Sequence, residues 1–229
     1  MFPITIIDLT HTLNSTIPTW AGEQGFTLST LLTYENCTTT TKFHVQKMML
    51  ENGVGTHMDA PAHCITGGKT IADYTPQELF LECITLDFSE NISSPDHVIS
   101  INDLMNHQHI DTIIKGYFVL IHTSWSKRWN DADTYRNNLV FPTISIEVAQ
   151  FLADKSIAGI GIDTLSIDQP QTFEYPQSAH TIFLKKGIFI IENVANAHCM
   201  PTNGAHILIA PLKIEHATEA PVRLLGFIF

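Results

Sequence analysis

Basic residues are scarce in this chain: 12 Lys and Arg stand against 23 Asp and Glu, a formal net charge of −11 over 229 residues. Without a basic stripe, neither nucleic acid nor an anionic membrane surface is expected as a partner. Charge of both signs is low, at 15% of residues, while 44% are hydrophobic. That balance, with the apolar C-terminal run LLGFIF, fits an enzyme that also buries surface against copies of itself, as a homodimer or homotetramer. Cysteine is sparse too, and Cys37, Cys64, Cys83 and Cys199 form no CxxC pair. Reduced thiols in an intracellular protein are the simpler reading, although an even count leaves disulfides open. No apolar run approaches the roughly 18 residues of a membrane helix. The N-terminal MFPITIIDLTHTL lacks the basic segment and long apolar run of a signal peptide. A soluble, cytoplasmic protein is expected. No repeat, low-complexity tract or linker divides the chain, so one domain over residues 1–229 is the default.

The chemistry is concentrated in residues 53–63, GVGTHMDAPAH. His57 and Asp59 are two apart, so an extended strand sends both side chains from one face. Pro61 stops the strand, and His63 follows at its end. Two imidazoles and a carboxylate with no Lys or Arg nearby form a set suited to a divalent metal, zinc or manganese. The competing reading is a turn whose polar side chains satisfy local backbone groups.

GTHMDAPAH resembles the signature of the metal-dependent cyclase-family hydrolases, to which bacterial kynurenine formamidases belong. The resemblance continues through GIDTLSID (161–168), the AHTIFLKKGIFIIEN segment and the PLKI…APVR ending, from about residue 4 to residue 227. It implies that His57 and Asp59 bind metal and that His63 is catalytic. In the family a His and a Glu with eleven residues between them supply the remaining ligands. His180 and Glu192 have that spacing here. Asp163 and Asp168 either orient the site or cap turns. Trp20, on a Pro- and Gly-containing loop, either caps the core or walls an aromatic-binding pocket, and the family's use of this loop favours the pocket. Trp125, and with it Trp129, either contacts an aromatic substrate or packs its loop down.

One departure from the family is plain. The formamidase pattern carries a further His four residues before that of GTH, where this chain has Gly53. Four retained ligands suffice for one ion and leave two ions thinly held. One divalent metal per chain is therefore expected, with His44 and Cys64 as possible substitute ligands.

Many short strands, few helices and frequent Pro and Gly turns indicate a mixed α/β, β-dominant fold. Strands are expected near residues 4–9, 27–34, 40–51, 83–88, 116–125, 158–168 and 187–192, and two more around EHATEAP. Helices are expected at TPQELF, 101–108, 145–154 and 181–186, and a loop over WSKRWNDADTYRNN. The resemblance implies a swivelling β/β/α architecture. The activity it implies is hydrolysis of a small amide, cyclic amide or lactone by metal-activated water, with His63 as general acid–base. Two alternatives stay open: a metal-binding protein without hydrolytic activity, favoured by the lost imidazole at Gly53, and a lyase or cyclising enzyme.

Overall fold

The structure, a computed structural model, describes residues 4–229. The first three residues of the N-terminal stretch considered above for a leader lie outside the described residues. In chain order the strands and α-helices are β1 (Thr5–Asp8), β2 (Phe26–Leu32), β3 (Val45–Leu50), β4 (His57–Asp59), β5 (Phe80–Asp87), β6 (Val98–Ile99), α1 (Ile101–Asn106), β7 (Phe118–His122), α2 (Ala132–Arg136), β8 (Thr143–Ile144), α3 (Ile146–Asp154), β9 (Gly159–Ile162), α4 (Ala179–Lys185), β10 (Phe189–Glu192), β11 (Ala205–Pro211) and β12 (Glu219–Ile228).

The main sheet runs β1-β12-β11-β5-β7-β9-β10-β4, and β4 pairs back onto β12. Seven strands thus close into a barrel-like sheet, with β1 appended along β12. Its central strands β5, β7, β9 and β10 are parallel neighbours. A parallel sheet needs cover on both faces, and β7 shows how the sequence supplies it. Phe118 and Leu120 join the cluster that includes Met58, Phe189 and Leu224, while Val119 and Ile121 point to the cluster under Val148, Leu152 and Phe183 of α3 and α4. An unbroken apolar run therefore serves two cores at period two. The helices begin where Ser accepts from the third backbone N–H: Ser100 from Asp103, Ser145 from Val148 and Ser178 from Thr181.

Several local expectations need correction. The segment WSKRWNDADTYRNN is not all loop: Asp131 accepts from the Thr134 N–H and starts α2. TPQELF is a single 3-10 turn rather than an α-helix, closed by Glu78 accepting from the Thr75 N–H at 2.9 Å. The strand expected over 158–168 ends at Ile162, because the next residues turn to bring Asp163 and Asp168 inward. The run LLGFIF is divided: Leu224 is fully buried in β12, which pairs with β1 and β11, whereas the terminal Phe229 is 61% exposed. A further group of exposed apolar side chains lies on the β2–β3 hairpin. Among the described residues no helix is long and apolar enough to cross a membrane.

Candidate metal centre

Strand β4 is three residues long and lies between two others, which is how the site is assembled. On one side β10 runs antiparallel to it, with Glu192 opposite His57. On the other, the start of β12 places Glu219 opposite Asp59. Residues directly opposite in an antiparallel pair sit side by side on one face. Since His57 and Asp59 share a face, three strands deliver an imidazole and three carboxylates to one spot. His180 arrives from the first turn of α4 and His63 from the 3-10 turn Pro61–His63.

Each imidazole is oriented from behind. The Nδ1 of His57 lies 2.9 Å from the Gly55 carbonyl, a contact that requires it to carry the proton and leaves Nε2 as the free lone pair. That carbonyl is held in turn by the Asn193 amide at 2.9 Å, whose own oxygen accepts from the Tyr135 hydroxyl. Gly55 has φ +62°, a left-handed conformation that glycine adopts without strain. Asp168 caps α4, accepting from the Ala179 and His180 N–H groups at 2.9 Å each and taking the His180 Nδ1 at 2.8 Å. Here again Nε2 points into the site.

The two Nε2 atoms converge on the same carboxylates. His57 lies 3.5 Å from Asp59 Oδ1 and 3.6 Å from Glu192 Oε2, while His180 lies 3.5 Å from Asp59 Oδ2 and 3.4 Å from Glu192 Oε1. Asp59 is 1% exposed, and neither of its carboxylate oxygens has a hydrogen-bond partner. Leaving such oxygens unsatisfied costs at least about 1–3 kcal/mol per group, more for a charge. A divalent cation removes that cost, and imidazole nitrogen with carboxylate oxygen is a donor set that zinc and manganese accept. The residues fit such an ion.

The site's charges reinforce one another without it. Burial by itself pushes His180 down, but Asp168, Asp59 and Glu192 outweigh it and carry the imidazole well above its usual range. His57 is raised in the same way, with Asp59 and Glu192 overcoming burial. The carboxyl of Asp59, which burial would raise, is lowered by His57 and His180.

These groups floor a cavity of about 400 Å³, walled by Trp20 and Phe173 and bordered by His63 and Glu219. Trp20 meets Phe173 edge-on at 5.8 Å, and Phe173 meets His180 at 5.9 Å. His57, Asp59, His63, His180, Glu192 and Trp20 are therefore together. Trp125 is not: its ring is 3% exposed, packed with Trp129 and Tyr135, and its indole N–H donates to the Tyr135 carbonyl. A buried indole needs a partner for its N–H, and the α2 turn supplies one, so Trp125 holds its loop rather than a substrate. Asp163 braces the turn after β7 by accepting from the Thr123 N–H and hydroxyl. His44 sits on the hairpin beside Thr30 and Tyr34, away from the cavity. Cys64 belongs to neither group of converging ligand atoms, and burial raises its thiol pKa. Sequence reading passed over Phe173 and Glu219, which lie in loop-like stretches. Only the strand register reveals the second of them.

A closed mixed sheet, with three parallel and four antiparallel pairings, carries an imidazole–carboxylate floor of the kind a metal-dependent hydrolase uses. The Cyclase family model matches residues 7–169. Kynurenine formamidase from Bacillus mycoides strain KBAB4 is 32% identical over 218 residues, spanning 95% of this chain and 94% of the relative. Isatin hydrolase A from Ralstonia solanacearum superposes with a TM-score of 0.88 at 26% identity, covering 99% of this chain and 92% of that one. A structure described as a predicted metal-dependent hydrolase from Bacillus stearothermophilus gives 0.76 at 26% identity, covering 98% of each chain. This chain belongs to the cyclase family, and it is a hydrolase.

Proposed function

We propose that this chain hydrolyses the C–N bond of a small aryl amide or cyclic amide, or the ester bond of a lactone. It does so with a divalent cation, zinc or manganese, held by His57, Asp59, His180 and Glu192. The observation that carries the reading is Asp59, a buried carboxylate with two unpartnered oxygens, each facing an imidazole Nε2. When bound, such a cation acidifies water and polarises a carbonyl oxygen. The remaining work falls to the protein. His63 is the general acid–base: its Nδ1 lies 3.1 Å from Glu219 Oε2. That leaves Nε2 to take a proton from water and return it to the leaving nitrogen or oxygen. Trp20 and Phe173, packed edge-on against each other, form an aromatic wall against which a flat ring lies, and exclude water from that side. Asp168 fixes the His180 tautomer so that the ligand lone pair is presented without reorganisation.

The substrate class rests on the relatives, one named for a formamide of kynurenine and one for isatin, a cyclic aryl amide. A cavity of about 400 Å³ is at the small end of ligand sites, which suits a one- or two-ring molecule. Metal-loaded protein incubated with aryl formamides, cyclic imides and lactones is expected to give a product one water heavier than its substrate by mass. A product one water lighter would establish a lyase instead. No turnover by fully loaded protein across the panel would favour the binding-only reading.

A homo-oligomer is part of the same proposal, and the β2–β3 hairpin is its contact surface. Leu31 is 64% and Met49 66% exposed, and Leu28, Phe43, Val45 and Met48 join them. The occupant we assign is a second copy of this chain. Residues 26–50 carry Lys42 and Lys47 against Glu35 alone, within a chain of net charge −11, so the hairpin complements the acidic body of another copy. Sedimentation is expected to give a species at least twice the 25.6 kDa chain mass. A monomer at micromolar concentration would refute it.

A further inference from the structure

The site contains one carboxylate more than a single ion needs, and its position is specific. The convergent ligand atoms form two groups, His57–Asp59–Glu219 and Asp59–His180–Glu192, each with its atoms within 4.8 Å of one another. Asp59 belongs to both. Its Oδ1 faces the Nε2 of His57 and its Oδ2 faces that of His180, and neither oxygen is satisfied by a hydrogen bond. A buried carboxylate that turns one bare oxygen to each of two clusters has the form of a bridge between two cations. We infer that Glu219 is a metal ligand: with His57 it holds a second divalent cation that shares Asp59 with the first, the first then resting on Asp59, His180 and Glu192, and glycine at position 53 is what makes room for Glu219.

The second half of this inference comes from the space around Gly53. Its backbone is not in the left-handed region, so conformation does not demand glycine there. A Cβ at this position would nevertheless stand well inside contact distance of Glu219 Oε1, and 3.6 Å from His57 Nε2. The Glu219 carboxylate thus fills the volume that any side chain at 53 would take. It is set there by register, since Glu219 is the β12 residue paired with Asp59. A ligand lost at Gly53 is replaced from the neighbouring strand. The exchange changes the chemistry: an anionic oxygen stands where an imidazole would be neutral, so the second position gains negative charge and favours a harder cation such as manganese. The other oxygen of Glu219 lies 3.1 Å from His63 Nδ1, so the same carboxylate that faces the second position also fixes the tautomer of the proton-transferring imidazole.

The inference rests on the metal-centre reading above, and the two fail separately. Wild-type protein stripped with chelator and titrated with manganese(II) is expected to bind two ions per chain by elemental analysis. Its low-temperature electron paramagnetic resonance spectrum should show the exchange-coupled signal of a bridged pair. Glu219→Gln keeps the size and a hydrogen-bonding oxygen but removes the charge. It is expected to weaken the second ion by roughly 10–100-fold or more, with the first ion retained and the coupled signal lost. Gly53→Ala is expected to fold, because the atom in its way is the tip of a flexible, 23%-exposed side chain. By displacing Glu219 it should lose the same ion. The Gly53→Ala/Glu219→Gln double variant should then be no worse than either single one, as expected for residues acting through one contact. Two ions bound as tightly by Glu219→Gln as by wild type would overturn the assignment of Glu219. One ion in wild type, with affinity indifferent to Glu219, would overturn the second position and leave the first standing. No ion in wild type would overturn the metal reading itself.

Discussion

Asp59→Ala protein is expected to leave dialysis with less than about a tenth of the metal that wild type retains, and with no measurable hydrolysis. Asp59 is the one residue common to both groups of converging ligand atoms. Removing it leaves a single ion only His57, His180 and Glu192 and takes away the buried charge that offsets the cation, and leaves two ions only two protein ligands each. The stability consequence separates this from a general folding defect. Without metal the variant loses a carboxylate whose oxygens had no hydrogen-bond partner, but it also leaves His57 and His180 with less compensation, so its apo stability should fall only moderately. With metal, wild type should gain about 2.7 kcal/mol at a cation concentration of 100 times Kd, whereas Asp59→Ala should gain nothing. Paired thermal melts with and without zinc or manganese read this difference directly. An Asp59→Ala protein that is fully loaded, or that still melts higher with metal, would remove the basis of the site.

The ligands differ in how far the sequence alone exposes them, and the reason is the range of the contact that places each. His57 and Asp59 are legible because a two-residue spacing on a strand settles their shared face locally. His63 is legible because Pro61 ends the strand before it. His180 and Glu192 are visible only through the family resemblance, since their meeting with β4 depends on a sheet register set across more than a hundred residues of chain. Glu219 has neither advantage. It sits in an acidic, loop-like stretch, and nothing local distinguishes it from Glu215, which is exposed. Trp125 illustrates the opposite error. An aromatic in a loop-like segment suggests a binding surface, but α2 forms there and its Tyr135 carbonyl satisfies the indole. The barrel closure is likewise unreadable from hydrophobic pattern, because three residues of β4 carry no periodicity to analyse. The buried run of β7 and the Ser-capped helices, by contrast, follow from local rules and lie where those rules put them.

His63→Ala is expected to retain its metal while turnover falls by roughly 10²–10⁴, the usual contribution of a general acid–base group. The geometry behind the expectation is that His63 borders the cavity yet belongs to neither group of converging ligand atoms. Its nearest charged partner is Glu219, whose hydrogen bond is the main cause raising its pKa above the usual 6.5, against the opposing effect of partial burial. A base must be neutral to act, so kcat/KM should show an acidic limb in wild type that disappears in His63→Ala. Three outcomes separate the roles open to this residue. If metal content and turnover fall together, His63 is a ligand. If the melting temperature falls while turnover per folded molecule stays near wild type, it only secures the turn after Pro61. If metal stays, the fold stays and the pH limb vanishes with the rate, the proton passes through His63. A substrate whose turnover survives the loss of this imidazole would mean that the mechanism is wrong even where the metal centre is right.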